Sequence, residues 1–322
     1  MKTNTANFSI VIPLYNEEDV LPKLIQRLST LSDTIYTGLD KTVEFVFIND
    51  GSRDNTLNLL TTLARTDLKK QYKIVNLSRN FGHQPAVLAG LNYAHASEAI
   101  MIIDGDLQDP PELIIDMYHE MKKEQCEVVY AVRQNRKEGP IKKMSYSLFY
   151  KTINSLTNGL IPKDSGDFAL ISPKICDIII NLPEKEKFLR GLRAWVGFKQ
   201  IPFYYSRDER KFGTTKYPFR ALLNLAKSGI FNFTNQPLQL INRIGIFSTI
   251  IGVIYFFVIL MKVILNEPVV PGFTSTIAVV IFFSGVQMMS LGLIAEYIGR
   301  LFLEIKSRPT YIIDRVISSS SD

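Results

Sequence analysis

Cysteine and histidine are scarce in this sequence of 322 residues, and their scarcity excludes several kinds of site. The two cysteines, Cys126 and Cys176, lie 50 residues apart, far from the CxxC spacing of zinc and dithiol motifs. We therefore expect two free thiols in a reducing compartment. The three histidines, His83, His95 and His119, are scattered along the chain, and their spacing does not predict a metal site.

Motifs of two large nucleotide-binding classes are also missing. No GxGxxG and no GxxxxGK[ST] segment occurs, so the dinucleotide-binding and P-loop classes lose their main support. The first residues, MKTNTANFSIVIP, contain no apolar stretch of signal-peptide length. We therefore expect the large first domain to stay in the cytoplasm.

Charge is distributed unevenly along the chain. The net charge is +6, and the segment from Lys199 to Arg243 alone carries eight basic residues against two acidic ones. Such a basic block suits anionic lipid headgroups or phosphate substrates. Nucleic acid is the rival interpretation, but no nucleic-acid-binding motif accompanies the charge, and we expect no nucleic-acid partner.

The first 135 residues alternate short apolar runs with helix-length segments. The runs that predict buried strands are Phe8–Leu14, Val43–Asn49, Tyr72–Leu77, Ala99–Asp104 and Glu127–Val132. The helices between them are predicted to begin near Glu18, Asp54, Gln84 and Pro111, and two further helices are predicted around 142–156 and 172–181. This α/β pattern is typical of a mostly parallel sheet with helices on both faces. In such sheets the ligand crevice lies at the carboxyl ends of the strands.

Two long apolar runs follow near the end of the chain. Residues 244–261 and 268–295 contain no charged side chain over 18 and 28 residues. A membrane-spanning helix needs about 20 such residues to cross roughly 30 Å of hydrocarbon. The runs therefore predict a two-helix transmembrane hairpin, with a pair of buried core helices as the alternative.

The hairpin divides the chain into predicted segments. These are a domain over 1–217, interfacial amphipathic helices over 218–243, two transmembrane helices within 244–299 (about 244–265 and 273–298) and a cytoplasmic tail over 300–322. The short connecting segment 266–273 lacks Lys and Arg, whereas both flanks of the hairpin carry several. The positive-inside rule therefore places the first domain and both termini in the cytoplasm.

Asp104 and Asp106 carry the clearest signal for a site. They end a predicted strand, where two carboxylates can reach the crevice together, and such pairs suit Mg²⁺ or Mn²⁺ bound to diphosphate oxygens. The alternative is a turn in which an Asp caps the helix after Pro110 and Pro111. Asp109 is better placed for that cap, which leaves Asp104 and Asp106 for a metal.

Polar residues also follow the first three predicted strands. Tyr15 to Glu17 offer stacking and hydrogen bonds to a nucleotide base, and Asp50 offers a carboxylate to a ribose hydroxyl or base N–H. Asp54 is placed to cap the next helix. Each of these residues could equally serve ordinary turn chemistry.

Seven segments together resemble a known family. They are VIPLYNEEDVLPKL, FINDGSRDNT, LSRNFGHQPAVLAGL, IDGDLQDPPELI, DSGDFALIS, FLRGLRAWVGF and RKFGTTKYPFRALLNLA. They resemble the inverting, GT-A-fold glycosyltransferases of family 2, in particular the polyprenyl-phosphate group that includes bactoprenol glucosyltransferases of the GtrB type and, more distantly, dolichyl-phosphate mannose synthase. The resemblance covers nearly the whole chain, including the predicted hairpin.

The resemblance implies an activity and a set of residues. Such enzymes transfer a sugar, here expected to be glucose, from a UDP-sugar to undecaprenyl or another polyprenyl phosphate with inversion, for cell-envelope glycosylation. The residues implied for the donor site are Pro13, Tyr15, Glu17, Asp50, Arg79, Asp104, Gly105 and Arg207. Asp104 and Asp106, with Gln108 nearby, would bind Mg²⁺ or Mn²⁺.

Asp167, in the segment SGDF, stands where the family places an acidic residue near the reacting centre. It is either an auxiliary base and orienting group or a structural carboxylate. Members of the family often carry Arg after GDF, whereas this chain has Ala169, and Arg190 and Arg193 are the candidates to supply the missing charge.

Three basic residues precede the predicted interfacial helices. Arg207, Arg210 and Lys216 are the expected clamp for donor and acceptor phosphates, and the alternative is that they only contact lipid headgroups. The acceptor is a phosphate monoester with a second pKa near 6, so it is already anionic at pH 7. A general base is therefore less necessary than for a sugar hydroxyl acceptor, and electrostatic stabilisation matters more.

The resemblance also sets expectations for location and assembly. It implies a multi-pass protein of the inner membrane and a homo-oligomer, with a tetramer as one option. A processive polysaccharide synthase is disfavoured, because no QxxRW segment occurs and two spans are too few for a polymer channel. Two rival hypotheses stay open at this point: a catalytically silent membrane adaptor that binds nucleotide-sugars, and a transferase for a different sugar, such as mannose.

Overall fold

The computed structural model describes residues 5–67, 70–134, 165–185, 187–206, 236–265 and 272–319. They belong to two compact units, one comprising the chain up to residue 222 together with residues from 309 onward, and one comprising 223–308. The helix predicted around 142–156, most of the interfacial segment, and the clamp residues Arg207, Arg210 and Lys216 lie outside the described residues.

The first unit is built on one mixed sheet. Its strands are β1 Phe8–Leu14, β2 Val43–Asn49, β3 Gln71–Leu77, β4 Ala99–Ile102, β5 Val128–Gln134, β6 Ser165–Ile171, β7 Gln200–Ser206 and β8 Ile313–Ser318. Their order in the sheet is β7-β5-β6-β4-β1-β2-β3-β8. β1 pairs in parallel with both β2 and β4, and β3 and β7 pair in parallel with β2 and β5. The predicted mostly parallel sheet is thus confirmed, with β6 and β8 as antiparallel strands.

Helices cover both faces of this sheet. They are α1 Leu21–Leu39, α2 Thr56–Thr66, α3 His83–Tyr93, α4 Leu113–Lys123, α5 Pro173–Asn181 and α6 Leu189–Trp195. Ile10 and Ile12 of β1 contribute to the core under α1, α2 and α4, whereas Val11 contributes to the core under α3, α5 and α6. Successive strand residues point to opposite faces, so β1 can serve both cores.

The local sequence explains where several helices begin. α1 starts three residues after the predicted position because Pro22 lies in its first turn, where a missing N–H costs nothing. It buries leucines at helical spacing, Leu21, Leu24 and Leu28, against the sheet. α5 begins after Ser172, whose hydroxyl accepts a hydrogen bond from the backbone N–H of Ile175 at 3.4 Å.

The second unit contains two long helices in its described residues. α7 spans Gln236–Ile264, and α8 spans Phe273–Ile305, seven residues beyond the predicted end at 298. Within the described ranges, neither these nor any other helix combines the length and the apolar character that crossing a membrane requires. The predicted transmembrane hairpin is therefore not confirmed.

The tail after α8 returns to the first unit, which the sequence pattern did not predict. β8 pairs antiparallel with β3 at the edge of the sheet. The next residue, Ser319, is buried, and its hydroxyl accepts from the backbone N–H of Tyr72 at 2.8 Å and donates to the carbonyl of Lys70 at 2.7 Å. These contacts fasten the end of the chain to the start of β3.

The anchoring of this strand can be tested with Ser319→Ala. The variant leaves the Tyr72 N–H without its side-chain acceptor, and we expect a loss of about 1–2 kcal/mol in unfolding free energy. In a unit of this size that corresponds to a melting temperature lower by a few degrees, measurable by calorimetry. Ser97 is an exposed serine of the same unit, so Ser97→Ala serves as the control; equal melting of the two variants would contradict the proposed anchor.

Candidate functional site

Those predicted site residues that the structure describes meet at one edge of the sheet. Tyr15, Asp50, Arg79 and Asp104 follow the carboxyl ends of β1, β2, β3 and β4, which run in parallel. Asp167 reaches the same edge by another route, because β6 is antiparallel and begins there. The predicted crevice at the strand ends is thus where the structure gathers these side chains.

The register of β4 and β6 brings two acidic residues together. Ile102 pairs with Ala169, so Asp104 and Asp167 each lie two residues beyond this pair. His83, at the start of α3, lies next to both. Its Nε2 is 3.3 Å from Oδ2 of Asp167 and 3.7 Å from Oδ1 of Asp104.

Asp167 is held by a dense set of donors. Arg190 donates from Nε to Oδ1 at 2.8 Å and from Nη2 to Oδ2 at 3.0 Å, and Gln84 donates from Nε2 to Oδ2 at 3.0 Å. The Asp167 side chain is only 7% exposed. Burial alone would raise its pKa, but Arg190 and His83 outweigh burial and hold the pKa well below its usual range. A carboxylate stabilised in this way is a weak base, which favours the orienting role.

The two candidate arginines have different positions. Arg190 forms the bidentate pair with Asp167, so it supplies charge near the place where Ala169 departs from the family pattern. Arg193 is buried, donates to the carbonyl of Gly166 at 3.3 Å and lies over the ring of Tyr130. Of the two candidates, Arg190 is therefore the one that pairs directly with Asp167.

His83 is a site residue that the sequence pattern did not reveal. The spacing of the histidines tests only for a metal site. The position of His83 was the usable signal, because His83 follows the third predicted strand at the edge where the other site residues lie. Burial opposes its protonation, but the hydrogen bond to Asp167 and the charges of Asp104 and Asp167 raise its pKa to about 9, against the opposing effect of Arg190. The two carboxylates therefore favour the protonated, cationic form of His83.

The turn over residues 104–109, called the Asp104 loop, offers oxygen ligands of the kind that Mg²⁺ and Mn²⁺ prefer. Among the described residues, no group of three or more His, Cys, Asp and Glu side chains is arranged to hold a metal ion. A Mg²⁺ ion in a nucleotide site, however, usually takes one or two carboxylates and completes its shell with substrate phosphates. Burial and the carboxylates Asp109, Asp167 and Asp106 raise the pKa of Asp104, with His83 opposing them.

The turn that carries these carboxylates is tightly packed. A Cβ on Gly105 would lie 2.3 Å from Cδ2 of Leu14 and 3.2 Å from the carbonyl oxygen of Pro13, so any side chain there would require Leu14 to move. Pro13 is itself buried in β1. Pro13 and Gly105 thus set the distance between the Asp104 loop and β1, and Gln108 closes the turn by donating its backbone N–H to Oδ1 of Asp106 at 3.1 Å.

One local expectation for this turn was wrong. Asp109 does not cap α4, whose N-cap is Glu112 and has no side-chain capping bond. Asp109 is instead buried and accepts a hydrogen bond from the hydroxyl of Tyr205. The capping rule considers only neighbouring residues, whereas the partner of Asp109 lies 96 residues further along the chain.

Asp50 organises the main chain at the start of α3. It is 3% exposed, and its two oxygens accept from the backbone N–H groups of Phe81 at 2.7 Å and Gly82 at 2.9 Å. Gly51, with φ +63°, allows close approach here, because a Cβ would lie 2.4 Å from the backbone carbon of Arg79. The Asp50 carboxylate therefore holds the segment that positions His83 and Gln84.

The loop after β1 is fixed to the loop after β2. Asn16 donates its N–H to the hydroxyl of Ser52 at 3.0 Å and accepts from the N–H of Arg53 at 2.8 Å. The N–H of Glu17 donates to the hydroxyl of Thr56 at 3.0 Å. Tyr15 remains 41% exposed between these anchors, with a ring face available for stacking on a base.

A buried amide pair extends this network to the end of the chain. Asn49 donates to Asn76 at 2.7 Å, and Asn76 donates to Asp314 of β8 at 2.9 Å. Because the carboxylate of Asp314 only accepts, it fixes the orientation of the Asn76 amide, and Asn76 in turn orients Asn49. The tail strand thus contributes to the order of the loop after β2.

Two family models match the chain. The model described as Glycosyl transferase family 2 matches residues 9–179, which include the loops after β1 to β4 and Asp167. The model described as GtrB C-terminal hairpin matches residues 236–301.

Relatives with named activities match over almost their whole length. The prophage bactoprenol glucosyl transferase homolog of Escherichia coli (strain K12) is 37% identical over 96% of this chain and 98% of its own. The bactoprenol glucosyl transferase of Shigella phage SfII is 36% identical over 95% and 97%. Among solved structures, a mannosyltransferase from Pyrobaculum calidifontis in complex with GDP-Man and Mn²⁺ aligns over 71% of this chain and 63% of its own, with 14% identity and a TM-score of 0.47. No functional conclusion follows from structural similarity at that level.

The role of Asp50 can be tested by amide hydrogen exchange. Asp50→Asn replaces one acceptor oxygen by an NH₂ group, so one of the two amides at Phe81 and Gly82 loses its acceptor and the other keeps only a neutral one. Such a bond contributes about 1.5–3 kcal/mol, and we expect exchange in the 79–84 segment to become roughly tenfold faster or more. Asp54 accepts instead from the N–H groups of Thr56 and Glu18, so Asp54→Asn is the control that should leave 79–84 unchanged. Unaltered exchange at Phe81 and Gly82 in Asp50→Asn would refute this role.

Proposed function

The chain belongs to glycosyl transferase family 2, and we propose that it transfers glucose from UDP-glucose to a polyprenyl phosphate with inversion at the anomeric carbon. It is a glycosyltransferase, and its mixed α/β sheet is the GT-A-like fold that the sequence predicted. The observation that carries the proposal is the 36–37% identity to bactoprenol glucosyl transferases over 95–96% of the chain, which includes the C-terminal hairpin.

The donor is proposed to bind across the loops after β1, β2 and β4. Tyr15 offers the exposed ring for uracil, and Asp104 and Asp106, with Gln108, would hold Mg²⁺ or Mn²⁺ beside the diphosphate. When bound, the cation would supply positive charge to the diphosphate as it leaves. Asp50, in the loop after β2, accepts from the backbone N–H groups of Phe81 and Gly82 and so orders the segment between β3 and α3.

The reaction proposed here needs one displacement. An oxygen of the acceptor phosphate forms a bond to the anomeric carbon as the bond from that carbon to the UDP oxygen breaks, and UDP leaves with the electron pair. No proton has to be removed, because the acceptor phosphate is already anionic near neutral pH. The low pKa of Asp167 is compatible with this chemistry, since the carboxylate would serve to orient Arg190 and His83. Both cations would face a site that collects negative charge.

The acceptor is proposed to meet the donor at the basic segment after β7. Arg207, Arg210 and Lys216 follow this strand directly in the sequence. We propose that they clamp the lipid phosphate and the donor diphosphate.

Membrane attachment is proposed to occur through α7 and α8. The match to the GtrB hairpin and the exposed apolar side chains of these helices, for example Phe247, Met289 and Ile305, support this proposal. The catalytic unit and both termini would then lie on the cytoplasmic side of the inner membrane, where UDP-sugars are available. A homo-oligomer, such as a tetramer, remains part of this proposal.

The function can be tested by incubating purified full-length protein with radiolabelled UDP-glucose and undecaprenyl phosphate. We expect label in a lipid-extractable monosaccharide product, with UDP-glucose preferred over a panel of other UDP- and GDP-sugars. An insoluble labelled polymer would indicate a synthase instead, and no labelled lipid with any donor would favour the silent adaptor.

The same assay tests the metal assignment. We expect Asp104→Asn and Asp106→Asn to lower turnover by roughly a hundredfold or more, because each removes a charged ligand from the leaving-group site. A chelator should abolish transfer, and Mg²⁺ or Mn²⁺ should restore it. Asp116→Asn, on the exposed side of α4, is the matched acidic control and should behave as wild type. Near-normal transfer by either site variant at saturating Mg²⁺ would refute the assignment.

The clamp has its own test. Loss of a charge-assisted contact to phosphate costs about 1.5–3 kcal/mol, so Arg210→Ala and Lys216→Ala should slow transfer to lipid phosphate roughly ten- to a hundredfold. UDP affinity, measured by calorimetry, should change less. If the variants lose only UDP affinity, the two residues serve the donor; if they lose neither property, they are headgroup anchors.

A further inference from the structure

Asp109, which the function proposed above does not use, is joined to the sheet by two long side chains. Its carboxylate is 1% exposed and accepts from the hydroxyl of Tyr205 at 2.5 Å. Arg133, near the end of β5, donates from Nε to the same hydroxyl at 3.3 Å, and its Nη2 lies 3.9 Å from Oδ2 of Asp109. A buried carboxylate needs such partners, because an unpaired charge in the interior is costly.

This contact lies at the far end of the turn that carries Asp104 and Asp106. The near end is fixed to β1, where the N–H of Ile103 donates to the carbonyl of Val11 at 3.1 Å. Between the two ends, Leu107 has a φ of 59°, a left-handed conformation that a leucine adopts only when its surroundings impose it. The shape of the turn therefore depends on both of its attachments.

Tyr205 also contacts the segment that carries Asp167. Its ring packs edge-on against Phe168, with centroids 5.4 Å apart and planes at 80°, and Phe168 directly follows Asp167. Burial and the Asp109 carboxylate raise the pKa of Tyr205, so its hydroxyl stays a donor. The buried side chain of Tyr205 thus contacts both the turn that carries Asp104 and Asp106, through Asp109, and the strand that carries Asp167, through Phe168.

We propose that Tyr205 is a positioning residue for metal binding: its hydrogen bond to Asp109 holds the turn in the shape that lets Asp104 and Asp106 take a divalent cation together with a nucleoside diphosphate. This inference rests on the proposed function, because it assumes a metal-assisted nucleotide-sugar site. Tyr205 touches neither the cation nor the substrate and acts through Asp109.

The chain provides a matched pair of variants for the test. Tyr205→Phe removes one hydroxyl and keeps the ring that packs on Phe168. Tyr204→Phe makes the same change one residue earlier on β7, at a side chain that is 59% exposed. Both variants are made in the full-length protein, and their melting temperatures are compared with that of wild type.

The measurement is Mn²⁺ affinity in the presence of saturating UDP, obtained from the electron paramagnetic resonance signal of free Mn²⁺. A hydrogen bond to a charged group can change an equilibrium ten- to a hundredfold, and because only part of that effect reaches the turn we expect Tyr205→Phe to bind Mn²⁺ about tenfold more weakly. Tyr204→Phe should bind as wild type does. UDP affinity without metal should be unchanged in both, and excess Mn²⁺ should restore glucose transfer by Tyr205→Phe.

Failure of the inference and failure of the proposed function have different signatures. Wild-type protein that binds no Mn²⁺ with UDP would overturn the metal role in the proposed function and, with it, this inference. Wild-type binding with an unaltered Tyr205→Phe affinity would overturn the inference alone. Asp109→Asn allows a double-mutant cycle with Tyr205→Phe. If Tyr205 acts through Asp109, the double variant should lose less Mn²⁺ affinity than the sum of the two single variants. Fully additive losses would show that the two residues act independently.

Discussion

The buried ion pair between Asp167 and Arg190 is the interaction on which the site depends. Asp167 is buried near the start of β6. Its charge is tolerated there because Arg190 donates to both carboxylate oxygens and Gln84 and His83 contact the same carboxylate. Removing one partner of such a pair typically costs about 3–5 kcal/mol, since the other charge stays buried. The pair therefore holds α6 against the start of β6, and the contacts of Gln84 and His83 with Asp167 hold the start of α3 to the same place.

The rest of the edge is ordered by contacts between loops. Asp50 holds the main chain at Phe81 and Gly82, and Gly51 lets the loops after β2 and β3 approach at a distance that a side chain would prevent. These contacts preorganise the site before any ligand arrives, which is the condition under which fixed charges stabilise a transition state most effectively. The proposed displacement relies on such charges, because its acceptor arrives already ionised.

The sequence predicted the central elements well because local patterns determine them. Strands β1, β2 and β4 are continuous buried runs, and their parallel pairing brings Asp50 and Asp104 to one edge of the sheet. β8 was missed because a short edge strand with two charged residues has little periodic signal. His83 and Tyr205 were missed because their partners lie 84 and 96 residues away in the sequence, at distances that no local rule covers. The membrane hairpin and the basic clamp stay predictions.

The configuration of the sugar in the lipid product tests the central claim most directly. UDP-glucose carries an α-linked sugar, and a single displacement by the acceptor phosphate must give a β-linked polyprenyl phosphate glucose. The anomeric proton coupling constant of the purified product, measured by nuclear magnetic resonance, distinguishes the two linkages. A β linkage is the expected result. An α linkage would mean retention of configuration and would contradict a single displacement by the acceptor phosphate on the face opposite UDP.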